Sequence, residues 1–356
     1  IIGGGIIVNS MMSQASGEKK QEEKAGTMEV HFIDVGQGDS TLITCEGHSM
    51  LIDTGEATKG TAIQNYLQKQ KIKKLDYLVL THPDSDHIGG APVIITKFEI
   101  DKVFVSNYEK DNKTYMKLIQ ALDNKQLKQT TPKVGAKYSL GTAEFTILAP
   151  NDTYNNPNDA SIALLIQNGK NRFLFTGDAE ENAEQDILEN GLDISADVYK
   201  AGHHGSRTAT SEEFFEAVSP SSAVISCGED NSYGHPHAQT LNTFRMNGVK
   251  VYRTDEEGTI IATSDGNKIT FNVPESDTWQ AGEPNGNGSV WKNTKPSAEK
   301  DNTAKEEVTY ILNTKSKKFH KPSCSSLPEG DNRKDSTASR SSIIEQGYEP
   351  CKRCNP

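Results

Sequence analysis

The chain is short of several things, and each shortage narrows its reading. Five cysteines occur in 356 residues. Two of them, Cys45 and Cys227, sit inside apolar alternating runs, where a thiol is more often buried than reactive. No stretch stays apolar for long enough to form the spanning segments of a membrane channel. Positive charge is in the minority: 38 Lys and Arg stand against 49 Asp and Glu, for a net charge of -11. That balance argues against binding nucleic acid over the whole surface and leaves room for a local basic patch. Histidine is scarce as well, nine in all, and none falls between His87 and His203. Where histidines do cluster, the clustering is therefore informative.

A chain of this length exceeds one usual domain, so two units with connectors are expected. Residues 1–27 read as a tail. Its first twelve residues are apolar and Gly-rich without the basic flank of a complete signal, and a polar spacer rich in Lys, Glu and Gln follows. The tail divides between a disordered segment and the remnant of a signal or membrane tether, and the second reading implies a protein that is secreted or anchored to the outer face of the cell membrane. Residues 28–273 read as the main domain. Short apolar-alternating runs at 28–35, 40–44 and 49–52 are hairpin strands, and helices at 60–70, 89–98 and 114–122 alternate with strands at 75–80 and 102–106. The second half repeats this grammar, with strands at 144–148, 161–167, 171–175, 197–200 and 223–226, helices at 181–189, 211–218 and 238–246, and closing strands at 250–253, 259–263 and 268–273. A parallel α/β arrangement of such strands lines their ends along one rim, where sites in layered folds usually sit.

The chemistry concentrates at those ends. Thr81-His82-Pro83-Asp84-Ser85-Asp86-His87 places two imidazoles and two carboxylates directly after an apolar strand. Asp178, the pair His203-His204 and the run Tyr233-Gly234-His235-Pro236-His237 follow later strands. Imidazole nitrogens and carboxylate oxygens together bind divalent metals, and an ion with an open position lowers the pKa of bound water to about 7. Asp53, in Leu-Ile-Asp-Thr-Gly, fits a residue that orients a ligand histidine through a hydrogen bond. Asp34 and Asp39 divide between turn formation and the site. His203 and His204 divide between the site and the start of the helix near 211, and His237 reads as a helix-start residue. Lys200 reads as a strand-end charge.

The motif His82-x-Asp84-x-Asp86-His87, with Leu51-Ile52-Asp53-Thr54-Gly55 before it and Thr176-Gly177-Asp178 after it, resembles the metallo-β-lactamase superfamily. The stretches 32–40, 200–206 and 233–237 resemble more narrowly its ComEC-type competence branch. This resemblance, spanning about 28–273, implies an αββα sandwich holding one or two divalent ions, Mn²⁺ or Zn²⁺ with Mg²⁺ as a further candidate. It also implies action on DNA. Carried over by position, Asp86, His87, Asp178 and His235 belong to the second metal position, with Asp178 bridging, and His82 to the first. Asp84 stands where the superfamily usually has His, and Asp159 is the nearest substitute for a missing third-motif His, so the first position is expected to be oxygen-rich and to favour harder ions. His204, with His203 and Asp86 beside it, is the candidate for proton transfer or for stabilising charge in the transition state.

Residues 274–307, rich in Gly, Asn, Pro, Ser and Lys, read as a flexible linker. Beyond it, residues 308–356 carry His320-x3-Cys324 and Cys351-x2-Cys354, a complete Cys₃His set for one structural Zn²⁺. The alternative is a disulfide pair with a spare thiol. The tail resembles the small zinc-binding module of the Ada DNA-repair family. From Tyr310 onward nine Lys or Arg face five Asp or Glu, a net +4 that leaves -15 for the rest. Such a tail suits an anchor on phosphates or a simply solvated surface. The expected function is a metal-dependent DNA hydrolase. A hydrolase of small esters, lactones or phosphodiesters, and a non-enzymatic DNA- or surface-binding protein, are the alternatives.

Overall fold

The computed structural model describes residues 25–282 and, in a separate C-terminal unit, 310–322, 324, 326–328, 330–336, 343 and 346–351. Strands β1 (Met28–Phe32), β2 (Thr41–Cys45) and β3 (His48–Ile52) form an antiparallel meander. After helix α1 (Gly60–Lys69), strand β4 (Lys74–Leu80) returns parallel to β3. Helices α2 (Ser85–Ile88) and α3 (Ala91–Lys97), strand β5 (Glu99–Val105), helix α4 (Lys113–Asn124) and strand β6 (Gln129–Thr130) continue the parallel run.

The second half opens with antiparallel β7 (Lys137–Leu140), β8 (Ala143–Ala149), β9 (Ala163–Asn168) and β10 (Asn171–Phe175). It proceeds through α5 (Glu181–Glu189), β11 (Val198–Lys200), α6 (Glu212–Val218), β12 (Ser222–Ile225), α7 (Ala238–Met246) and β13 (Lys250–Arg253), with β10 to β13 parallel. Helix α8 (Thr254–Glu257) then leads to β14 (Ile260–Ser264) and β15 (Ile269–Phe271), which join the first sheet beside β1. The sheets run β15-β14-β1-β2-β3-β4-β5-β6 and β13-β12-β11-β10-β9-β8-β7. The expected parallel arrangement thus holds within β3–β6 and β10–β13, and the remaining neighbouring pairs are antiparallel.

Alternation along the strands assembles the layers, because successive side chains leave a strand on opposite faces. In β4, Val79 points inward to Phe104 and Phe145, whereas Leu78 and Leu80 point outward to Ile63 and Leu67 of α1 and Ile94 of α3. In β10, Phe173 and Phe175 face the first sheet, and Leu174 faces Phe214 of α6 and Phe244 of α7. The result is the αββα sandwich expected from the resemblance. Truncating a central, fully buried side chain such as Phe145 to Ala costs about 3–5 kcal/mol.

One expected helix differs. The segment expected as a helix over 89–98 begins earlier and is broken: α2 carries Asp86 and His87, and Gly89 and Gly90 separate it from α3. A Cβ at Gly90 would stand 2.3 Å from the Thr54 carbonyl oxygen. No larger residue lets α2 lie that close to the end of β3.

In the C-terminal unit, strands β16 (Tyr310–Asn313), β17 (Lys318–His320), β18 (Arg333–Ser336) and β19 (Glu349–Pro350) form a sheet in the order β18-β16-β17-β19. Among the described residues its apolar cluster includes Leu312, Phe319, Ile343 and Tyr348. A unit of under fifty residues can bury only a small core, and a metal staple is the usual remedy at this size.

Candidate metal centre

The centre is assembled from strand ends of both sheets. On the first, Asp53 follows β3 with a left-handed backbone, φ 57°. Its carboxylate accepts from the Thr81 backbone N–H at 2.8 Å and the Thr81 hydroxyl at 2.6 Å. It also accepts from His87 Nδ1 at 2.8 Å. That bond fixes the His87 tautomer and leaves Nε2 facing the site, the orienting role expected of Asp53. The Gly-Gln-Gly-Asp turn closes over α2. Asp39 N donates to the Asp86 carbonyl and Gly55 N to the Asp39 carbonyl, while a Cβ at Gly38, φ 129°, would meet Asp86 O at 2.4 Å.

The second sheet supplies the other half. Asp178 follows β10 after a left-handed Gly177, and its N–H donates to Ser161 Oγ at 3.1 Å. Beyond β11, His203 and His204 both adopt left-handed backbone, φ 48° and 54°, within a single 3₁₀ turn, Gly202–Gly205. His204 Nδ1 donates to the Ser226 carbonyl at the end of β12, 2.9 Å away, so its Nε2 turns inward. Buried Lys200 crosses between the sheets and pairs with buried Asp39 at 2.9 Å.

These groups converge on one atom. Asp178 Oδ2 lies 3.3 Å from His87 Nε2, 3.4 Å from His204 Nε2, 3.6 Å from His203 Nε2 and 3.8 Å from His82 Nε2. Asp86 Oδ2 stands 3.4 Å from His204 Nε2. Two donors bound to one ion at about 2.1 Å each stand roughly 3–4 Å apart. One ligand atom from each of Asp39, His87, Asp178 and His204 fits within 4.8 Å of the others. Four buried atoms here, His82 Nε2, Asp178 Oδ1, Asp39 Oδ1 and His235 Nδ1, have no hydrogen-bond partner among the described residues. A buried polar atom left so costs about 1–3 kcal/mol, and coordination would remove the deficit. The residues present fit a divalent metal.

Electrostatics agrees. Burial pushes His87 and His204 down, but the carboxylates of Asp178, Asp53 and Asp39 outweigh it and raise both well above the usual histidine range. Burial favours the neutral acid at Asp178 and Asp86, yet the adjoining imidazoles hold both below the usual carboxylate range. The cluster is built for positive charge at its centre. His82 is held to about 3 by burial and by its neighbour His87, and His235 to about 3 by burial and by His204 and His203. Both are neutral imidazoles with lone pairs to give.

The predicted residues separate into groups. Asp39, His82, Asp86, His87, Asp178, His203 and His204 meet, and Asp39 joins the site through its carboxylate as well as shaping the turn. His235 stands one ring further out, its centroid 6.0 Å from that of His204 and 5.4 Å from that of His203. His237 is the N-cap of α7, and its Nδ1 accepts from Arg207 N. Two of the expected residues contact other groups. Asp84 Oδ1 pairs with Lys110 Nζ at 2.5 Å, a cation that position alone gave no reason to place there. Asp159 accepts from Glu180 N and Asn182 Nδ2 and so braces the loop before α5. The donors that meet are the imidazoles of His82, His87, His203 and His204 and the carboxylates of Asp39, Asp86 and Asp178.

His204 is also placed differently from a group facing substrate: it is almost wholly buried among the ligand atoms, whereas His203 remains 21% exposed at its side chain. Sequence reasoning missed the Lys200–Asp39 pair and Glu180, whose Oε1 lies 3.2 Å from His203 Nδ1. Lysine is almost never fully buried unless paired, so nothing in the sequence alone marked Lys200 as buried.

In the C-terminal unit, His320 Nδ1 lies 3.4 Å from Cys324 Sγ, and these two with Cys351 place ligand atoms within 4.8 Å of one another. All three are buried. Cys354, the fourth expected ligand, lies outside the described residues.

Residues 33–229 match the Metallo-beta-lactamase superfamily. The chain belongs to that superfamily, and as a member it has the fold of a metal-dependent hydrolase. Among curated proteins it is similar to ComE operon protein 3 of Bacillus subtilis, 32% identical over 72% of this chain and 36% of that protein. Recombination protein 2 of Haemophilus influenzae is 32% identical over 66% of this chain and 28% of its own length. The chain therefore spans about a third of the length of the curated relatives it matches. Among solved structures, the metallo-beta-lactamase fold protein YhfI from Bacillus subtilis matches with a TM-score of 0.47 and 13% identity, covering 67% of this chain and all of that one.

Proposed function

We propose that the chain is a metal-dependent phosphodiesterase that cleaves DNA, acting in or beside DNA uptake. The observation that carries the hydrolytic part is the convergence of four imidazole Nε2 atoms on Asp178 Oδ2 within 3.8 Å. The names of the relatives, which include a Competence protein ComA from Neisseria gonorrhoeae, support the choice of DNA. Bound divalent metal would supply an acidified water and neutralise charge on the phosphate. Asp39, Asp86, His87, Asp178 and His204 would hold it, with His82 beside them. The mixed imidazole and carboxylate donors suit Zn²⁺ or Mn²⁺ better than Mg²⁺.

The chain's own residues do the rest. Asp53 and the Ser226 carbonyl fix the tautomers of His87 and His204, so neither ring has to turn during the reaction. Lys200 holds Asp39 from the opposite sheet. His203, partly exposed and tethered at Nδ1 to Glu180 and Thr208, is placed to exchange a proton at Nε2 with a departing oxygen. The basic C-terminal unit adds phosphate contacts and salt-sensitive affinity. Placement outside the cell, secreted or tethered, belongs to the same proposal. Among the described residues no helix is long and apolar enough to cross a membrane.

The test is hydrolysis of single- and double-stranded DNA by the full chain with Mn²⁺, Zn²⁺ or Mg²⁺, against chelator and against Asp178→Asn. Metal-dependent cleavage lost in the variant is the expected result. Absence of cleavage with every metal, by protein shown to contain it, would overturn the reading. Turnover of a simple ester or lactone by that protein would point to the small-molecule alternative.

A further inference from the structure

Three large hydrophobic side chains are strongly exposed among the described residues: Met116, Met246 and Tyr233. Only Tyr233 adjoins the metal centre. It is 63% exposed, and its ring stacks on His235 at 5.7 Å between centroids and 18° between planes. His235 in turn stacks on His204 at 6.0 Å and 30°. The three rings make a column that starts at the buried ligand atoms and ends with an aromatic face in solvent.

The loop that carries Tyr233 is held firmly. Asn231 Nδ2 donates to the carbonyls of Gly228 and His235, at 2.8 and 2.6 Å, and its Oδ1 accepts from His235 N at 3.0 Å. Gly282 N donates to the Pro236 carbonyl, and a Cβ at Gly282 would stand 2.3 Å from His235 O. A rigid loop that leaves an aromatic ring uncovered forgoes the burial such a ring normally finds. The uncovered face is flat, aromatic and next to the site where a phosphate would react.

We infer that Tyr233 is a stacking platform for an unpaired nucleobase of the substrate, and that it directs the centre toward single-stranded ends. This rests on the phosphodiesterase reading above and names its substrate form. Every base offers a π-face, so the platform is indifferent to sequence. A paired base inside a duplex is already stacked on both sides and offers no free face, so duplex DNA gains nothing from Tyr233 until a strand is displaced. Tyr233 is a positioning and specificity residue, since it touches the base beside the reacting phosphate.

The experiment measures affinity and turnover separately. Wild-type chain and Tyr233→Ala, Tyr233→Phe and Tyr233→Trp are titrated in chelator with a fluorescently labelled single-stranded oligonucleotide. The titration is repeated with oligonucleotides carrying one abasic position at successive sites. Cleavage of the same strands is then followed with metal. Removing one stacked base typically weakens binding by roughly 5- to 150-fold. Tyr233→Ala should therefore raise Kd and KM about tenfold with kcat little changed, and the Phe and Trp variants should restore binding. One abasic position should reproduce the loss in wild-type chain and add nothing in Tyr233→Ala, because the two removals delete one contact. Unchanged affinity in Tyr233→Ala, or losses that simply add, would overturn the platform. Tyr233-dependent binding without cleavage would support it and overturn the hydrolytic reading instead.

Discussion

Replacing Lys200 with Met tests the electrostatic frame of the centre. Lys200 and Asp39 are both buried, 2.9 Å apart, and belong to opposite sheets. Methionine keeps the length of the side chain and removes the charge, leaving the Asp39 carboxylate buried without its counter-ion. Breaking a buried pair from one side costs about 3–5 kcal/mol. For a domain of this size each kcal/mol moves Tm by about 2–4 °C, so Lys200→Met in chelator should melt roughly 6–20 °C below wild type. Burial alone would favour protonated Asp39, and the charges of Lys200 and His204 hold it ionised below the usual carboxylate range. Two further arms isolate the cause. The double variant Lys200→Met with Asp39→Asn removes both charges and should recover much of the loss, while divalent metal added to the single variant should recover part of it by meeting the same carboxylate. Calorimetry of the three proteins with and without metal is the assay. A single variant within about 1 kcal/mol of wild type in chelator, or a double variant no more stable than the single, would refute the argument.

Other outcomes follow from the same geometry. Asp53→Ala leaves His87 Nδ1 without its acceptor and should lower metal affinity about 10- to 100-fold, read by competition with a chelating dye. Asp76 accepts from Ser49 N at 2.8 Å and from His48 Nδ1 at 3.0 Å. Partial burial raises it, but those bonds prevail and its folded pKa is depressed. Its contribution is thus present above the unfolded value of about 3.9 and is lost as pH falls through the folded one. Urea melts of wild type and Asp76→Asn should differ at pH 6 and converge in acid. Cys351→Ser removes one candidate ligand of the His320–Cys324–Cys351 cluster and should weaken metal binding there and unfold the C-terminal unit while the sandwich remains, measured by metal content and by protease resistance of the main domain.

Most of the layering was legible because periodicity reports which way a side chain points. Residues 171–175, 181–189, 238–246 and 250–253 form the expected elements with the expected bounds, since each carries an unbroken apolar pattern. The short strands β6 and β7 escaped notice because they are largely exposed edge pieces with little apolar signal. At the centre, motif spacing brought out His82, Asp86, His87, Asp178 and His204 because the ends of neighbouring strands share a rim. The neighbours of Asp84 and Asp159 were not legible for a physical reason: spacing fixes a residue's place along the chain, not its partner. Lys110 and Asn182, from other segments, take up those carboxylates in space.

The division of the centre between two sheets has a mechanical consequence. Asp39, His82, Asp86 and His87 ride on one sheet and Asp178, His203 and His204 on the other, so an ion among them acts as a rivet through the sandwich. Its binding energy opposes any slide or parting of the sheets, and at a hundred times its Kd it would add about 2.7 kcal/mol against global unfolding. Conversely, core substitutions between the sheets, far from any ligand, should be felt first as a loosened grip on metal.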